Sequence, residues 1–289
     1  MKNNPRRVLR KMGWRLIHLG PRRDVRIDTE NGVLFCDSKD WLIGKYLYVD
    51  RSYEDESIST TLEFLRNEGY LKPGRAGTVL DVGANIGMIC IALLKHGHFE
   101  RAVAFEPSPT SFRLLKMNVA ANGLGDRVTC FPYALSFENG ETDLEISRHN
   151  SGDNSIRASG EGLAFGEDER PSVKTEVRSL DSLVLSDPDI DPSDTDLVWV
   201  DIQGYEGFFF IGASEFLRRG IPVVSEFWPY GINRAGMSRE EFCRVVAARF
   251  GKFAHLRDGR FELFPINAIA SLFEIYRAPR EFGHLIFLP

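Results

Sequence analysis

Nowhere in the 289 residues does an apolar run approach the roughly 18–20 residues that a helix needs to cross a bilayer. No membrane-spanning segment is therefore expected. Cysteine is scarce: Cys36, Cys90, Cys130 and Cys243 are scattered, and no two show C-x-x-C spacing. That excludes the usual zinc and dithiol signatures. A chain of this length needs no disulfide staples, so reduced thiols and a cytoplasmic setting are expected. Acid is absent from residues 1–23, which hold eight basic side chains (Lys2, Arg6, Arg7, Arg10, Lys11, Arg15, Arg22 and Arg23). The other residues carry 28 basic against 41 acidic groups, a net of −13. Such a body lacks the basic track that meets phosphates, so no nucleic-acid partner is expected. No internal repeat is visible.

What is present divides the chain. Overall, 43% apolar and 27% charged residues describe a globular protein. The basic opening does not read as a secretory signal, because Arg15 and His18 interrupt its apolar part. Val8, Leu9, Met12, Leu16 and Leu19 would share one helical face. Residues 1–23 are thus open to three readings: a basic amphipathic helix touching anionic lipid or a partner, a helix packed on its own domain, or a frayed tail. Residues 24–70 form an extension. Val25 to Phe35 and Trp41 to Val49 read as strands, with Asn31-Gly32 as a hairpin turn, and Ser57 to Asn67 as a helix. From residue 71 to 289 strand and helix patterns alternate, which implies an α/β domain with a mostly parallel sheet covered on both faces. Strands are expected at 78–82, 102–106, 128–133, 195–200, 221–227, 253–256 and 284–288, and helices at 86–96, 110–121, 206–219 and 238–250. Residues 147–171 break this rhythm with a Ser-, Gly-, Asn- and acid-rich stretch, either a lid over an active site or a solvated loop.

The densest signal is Thr78-Val79-Leu80-Asp81-Val82-Gly83-Ala84-Asn85-Ile86-Gly87. An apolar run ends in a carboxylate and passes through two glycines into a helical pattern. Gly83 and Gly87 permit a sharp turn and close backbone approach to a ligand. The spacing D-x-G-x-x-x-G differs from the G-x-G-x-x-G that cradles a pyrophosphate. A carboxylate ahead of the loop repels pyrophosphate and suits the ammonium of an amino-acid-like ligand such as S-adenosylmethionine. A dehydrogenase is disfavoured on that ground. Downstream, Ala102-Val103-Ala104-Phe105-Glu106-Pro107 is a second apolar run ending in an acid. Glu106 stands close to the roughly 20-residue offset of an acid that holds ribose hydroxyls, and Pro107 stops the strand. Asp201 and Glu226 end two further runs. Four acids at carboxyl ends of parallel strands converge on one sheet edge, where ligands bind.

VLDVGANIG (79–87), AFEPSP, LDSL, LVWVDIQGYEG with its following IGA, and the terminal HLIFLP together resemble the motif series of FkbM-type S-adenosylmethionine-dependent methyltransferases, over about residues 53–229 and the last strand. The resemblance implies a Rossmann-like, seven-stranded sheet with an antiparallel final strand, and O-methylation of a small molecule or glycan. By position, it implies that Asp81, Gly83, Ala84, Asn85 and Gly87 hold the methionine end of the cofactor. Glu106 and Pro107 match the ribose-binding turn, and Tyr133-Ala134 the region beside the adenine. Tyr53-Glu54 resembles a short motif ahead of the core, with Glu54 a candidate cofactor contact. Asp201 faces both cofactor and substrate. The family usually reads D-V-E-G-x-E after strand four, whereas Gln203 here keeps the shape of glutamate without its charge.

An alcohol acceptor needs a base within hydrogen-bond reach. Asp201 is the first candidate, His149 in the 147–171 segment the second, because imidazole exchanges protons near neutrality, and Glu226 shares their edge. A magnesium-assisted variant through Asp201 and Glu226 is less favoured, for no clustered metal motif is present. The [DNS]-P-P-[YF] turn of nucleic-acid amine methylation is missing after strand four; Trp228-Pro229-Tyr230 is only faintly similar and follows strand five. N-methylation, or a cofactor-binding module without turnover, is the alternative function.

Overall fold

The computed structural model describes residues 5–52, 55–157 and 164–289. In chain order the elements are α1 (Pro5–Leu19), β1 (Asp24–Thr29), β2 (Gly32–Asp37), α2 (Ile43–Asp50), α3 (Asp55–Asn67), β3 (Ala76–Val82), α4 (Met88–Lys95), β4 (Phe99–Phe105), α5 (Pro109–Ala121) and β5 (Val128–Phe131). There follow β6 (Ala134–Leu135), β7 (Gly140–Glu145), β8 (Ser155–Ile156), β9 (Ser172–Arg178), α6 (Leu180–Ser186), β10 (Thr195–Val200), α7 (Glu206–Gly212) and α8 (Ser214–Leu217). The chain closes with β11 (Val223–Phe227), α9 (Pro229–Arg234), α10 (Arg239–Ala247), β12 (Lys252–Arg257), β13 (Arg260–Pro265), α11 (Leu272–Ile275) and β14 (Gly283–Leu288).

The main sheet runs β13-β12-β14-β11-β10-β3-β4-β5. Its five strands from β11 to β5 are parallel, and β14 is inserted antiparallel between β11 and β12. This is the doubly wound Rossmann-like arrangement, with its switch point between β3 and β10. All seven strands read from the sequence are there. An eighth, β13, extends the edge by a hairpin on β12. The two-residue period sorts the core by face. Val79, Leu197 and Trp199 join α3, α4, α5 and the N-terminal extension on one side. Leu80, Val198 and Val200 meet α7, α8 and α10 on the other. A second sheet, β6-β9-β7-β8, lies over the carboxyl-end region and has its own small core around Leu144, Ile156 and Tyr205.

Three expectations need correction. Trp41 to Val49 is not a strand: residues 43–50 form α2. Asp40 decides this locally, since its Oδ1 accepts the amide N–H groups of Leu42 and Gly44 at 2.9 and 3.3 Å and so satisfies free donors of the first turn. Residues 206–219 are two helices, α7 and α8, broken at Ala213. The β1–β2 hairpin turns at Glu30-Asn31, one residue before the expected Asn31-Gly32 pair, with Thr29 opposite Gly32. The four cysteines are free thiols. No described helix is long and apolar enough to cross a membrane.

Candidate functional site

Because β3, β4, β10 and β11 are parallel neighbours, their carboxyl ends share one edge of the sheet. Asp81, Glu106, Asp201 and Glu226, one from each strand end, line a single cavity of about 350 Å³. The two loops at the switch point touch. Gly83 has φ +86°, and a Cβ there would lie 2.0 Å from the carbonyl oxygen of Asp201. Any side chain at 83 would thus push the loop after β3 away from the one after β10. Gly87 behaves differently from the expectation of a ligand approach. It is the left-handed residue before α4, its missing Cβ leaves room for Leu115, and it does not line the cavity.

At one end, backbone donors hold the acids. Glu106 Oε2 accepts the Asn85 N–H at 2.9 Å and Oε1 the Ser108 N–H at 2.7 Å. Asp81 Oδ2 accepts the Cys90 N–H at 3.1 Å. Burial is the larger influence on both carboxyls: it lifts Asp81 to about 6, against the lowering by the Cys90 thiol and N–H, and Glu106 to about 7, against the lowering by the Ser108 and Asn85 N–H groups. Gly83, Ala84, Asn85 and Pro107 form the adjoining wall. Tyr133 and Ala134 continue it, with the Tyr133 ring 5.3 Å from Phe131, itself stacked at 5.3 Å on Phe105.

At the other end, a side chain holds the acids. Gln203 Nε2 donates to Asp201 Oδ1 at 2.6 Å and to Glu226 Oε2 at 3.3 Å. Asp201 opens onto the cavity, yet protein surrounds it closely, and this burial raises its carboxyl above the usual range while the Gln203 amide lowers it. Gln203 is itself left-handed, at φ +57°. Glu206 shapes that turn: buried at the start of α7, its Oε1 accepts the N–H groups of Ile202 and Gly204 at 3.1 and 3.2 Å. The second acid of D-I-Q-G-Y-E, Glu206, therefore builds the loop and lies outside the cavity lining. An amide N–H between Asp201 and Glu226 is a donor and no metal ligand. The pair as arranged does not fit a divalent ion. Among the described residues no group of three or more His, Cys, Asp or Glu could hold one.

Residues 150–156 supply the roof, through Asn150, Ser151, Gly152, Asn154, Ser155 and Ile156. Asp40 fastens it, accepting the Ser151 N–H and Oγ–H at 2.9 and 2.6 Å. Farther along, Glu167 is buried with Arg234 and Tyr230, at 3.0 and 2.7 Å. His149 is not brought to the main cavity: it lines a small neighbouring pocket, and its carbonyl accepts the Trp41 N–H. Glu54 lies outside the described residues. Sequence reasoning missed His284, Gln203 as a clamp, and the contribution of Leu42 and Ile43. His284 pairs in register with Glu226, lines the cavity, and is pushed toward the neutral form by burial. Its only signal was a histidine opening an apolar closing strand.

A family profile described as the methyltransferase FkbM domain matches residues 81–258, more than half of the chain. No curated protein matches. Among solved structures, a methyltransferase FkbM from Methylobacillus flagellatus KT shares 13% identity at a TM-score of 0.44, over 100% of this chain and 63% of that one. This chain thus spans less than two thirds of that protein's length. An O-methyltransferase from Bacillus cereus, solved with SAH, shares 15% identity at a TM-score of 0.40, over 80% of each chain. The chain belongs to the FkbM methyltransferase family.

Proposed function

We propose that this chain transfers the methyl group of S-adenosylmethionine to a hydroxyl of a small molecule or glycan. The observation that carries the reading is the division of one cavity between Asp81, Asn85 and Glu106 at one end and Asp201, Glu226 and His284 at the other.

The residues fit such a cofactor. Each oxygen of a carboxylate can accept two hydrogen bonds. Glu106 spends one per oxygen on Asn85 and Ser108 and keeps capacity for a vicinal diol. Asp81 offers charge to an ammonium, and the apolar face of Tyr133 beside Ala134 suits a flat heteroaromatic ring. When bound, the cofactor would supply a methyl group already activated by a sulfonium. The chain's own task is then to hold the acceptor in line at near-attack distance, to exclude water beneath residues 150–156, and to take up the hydroxyl proton. Asp201 is the base in this reading: Gln203 fixes Oδ1, and the raised carboxyl brings its basicity closer to neutral pH. His284, kept neutral by burial, is the second acceptor in reach of the same space.

A mass-shift screen with methyl-labelled cofactor against hydroxylated metabolites and glycans tests this. Label on an oxygen supports the reading. Label confined to nitrogen replaces it with N-methylation, and cofactor binding without label on any acceptor replaces it with a binding module.

A further inference from the structure

We propose that α1 is a docking surface for an anionic lipid bilayer. Most amphipathic helices turn their apolar face inward. This one does the reverse. Val8, Leu9, Met12, Leu16 and Leu19 lie within an arc of about 100° at 100° per residue, and their exposures are 50, 66, 57, 73 and 79%. The opposite arc makes the attachment to the body. Trp14 is fully buried, ringed by Tyr48 at 5.5 Å. Arg7 pairs with Asp50 at 2.6 Å, Arg10 donates to the Val49 carbonyl at 3.1 Å, and His18 Nδ1 meets the Ser38 carbonyl at 3.1 Å. The apolar stripe is therefore left pointing away from the protein.

Charge selects the occupant. Arg6 borders the stripe on one side and Lys11 and Arg15 on the other, all exposed. No acid occurs in residues 1–23, whereas the rest of the chain carries a net of −13. A second copy packed stripe to stripe would set these cations side by side with no acid on either helix to pair them. A bilayer with anionic headgroups offers both an apolar interior for the leucines and negative charge at the depth of the flanking Arg and Lys. The acidic body is repelled from the same surface, so this face alone can approach it. The helix would lie in the interface without crossing it.

The test is co-sedimentation of the full chain with vesicles of phosphatidylcholine alone and with about 30% phosphatidylglycerol. At least tenfold tighter binding to the anionic vesicles is expected, weakened by salt. Leu9→Glu with Leu16→Glu should lower it at least tenfold, and Arg15→Glu severalfold. Melting temperature and cofactor affinity of these variants should match the parent, because the altered side chains face outward. Equal binding to both vesicle types, binding to neither, or binding unchanged by the leucine substitutions overturns the proposal. So does a dimer in solution that Leu9→Glu with Leu16→Glu turns into monomer, which would make a second copy the occupant.

Discussion

The two ends of the cavity hold their carboxylates by different means. At the Asp81–Glu106 end each acid accepts backbone N–H groups, those of Cys90, Asn85 and Ser108, fixed by α4, by the loop after β3 and by the start of α5. At the Asp201–Glu226 end a side-chain amide, that of Gln203 on a left-handed turn, reaches both acids. Backbone donors cannot swing away, so the first end is built for constant geometry. A side-chain clamp can yield, and an amide can be exchanged for an acid by one substitution. Affinity for a cofactor should reside in the first end and turnover in the second.

Substitutions at each end can separate these roles. Asp201→Asn keeps the hydrogen bonding shape and removes the proton acceptor. Methyl transfer should fall about 10²-fold or more, with cofactor affinity within about threefold of the parent, as read by steady-state kinetics and calorimetry. Equal losses in both would erase the division. Glu106→Ala should do the converse: cofactor affinity should drop at least about tenfold, since two charge-assisted bonds are lost. It should also cost stability, because the Asn85 and Ser108 N–H groups lose their acceptor.

Next in size is a pH effect confined to the first end. Asp81 near 6 and Glu106 near 7 lie above ordinary carboxyl values. The ligand-free folded state thus holds protons there that the unfolded chain has released, and stability from these two groups is lost as pH rises from about 4 through 7. A cationic ligand favours their ionised forms. Its affinity, and the rise in melting temperature that it produces, should therefore grow by about tenfold and by several degrees respectively between pH 5.5 and 8. A flat affinity profile would show that neither acid meets the cation. The smallest effect belongs to Gln203→Glu. A third carboxylate beside Asp201 and Glu226 should raise the pH midpoint of turnover by about one unit, lower turnover at neutral pH about threefold, and leave cofactor affinity alone.

Both ends announced themselves in the sequence to unequal degrees. Asp81, Glu106 and Asp201 were legible because each closes a short apolar strand, and Gly83 because it opens the loop after one; this is a purely local pattern, and the strand order then brings the ends together. The seven strands and α4, α5 and α10 were legible for the same reason. The alternation in Trp41 to Val49 fitted two periods. Only the Asp40 side chain and packing against Trp14 settle it as a helix, and these are contacts the local pattern does not display. The roof at 150–156 is polar and aperiodic, so its place over the cavity depends on Asp40, 111 positions from Ser151. His284 becomes a cavity residue only once β14 is seen to pair antiparallel with β11. The outward stripe of α1 was visible as a helical face, but which way it turned was fixed by Trp14 and the Arg7–Asp50 pair.

Titration calorimetry with three ligands decides whether the Asp81–Glu106 end takes S-adenosylmethionine. Micromolar binding of S-adenosylmethionine and of its demethylated product is expected, with no measurable binding of NAD. Micromolar NAD with no heat from S-adenosylmethionine would contradict this expectation.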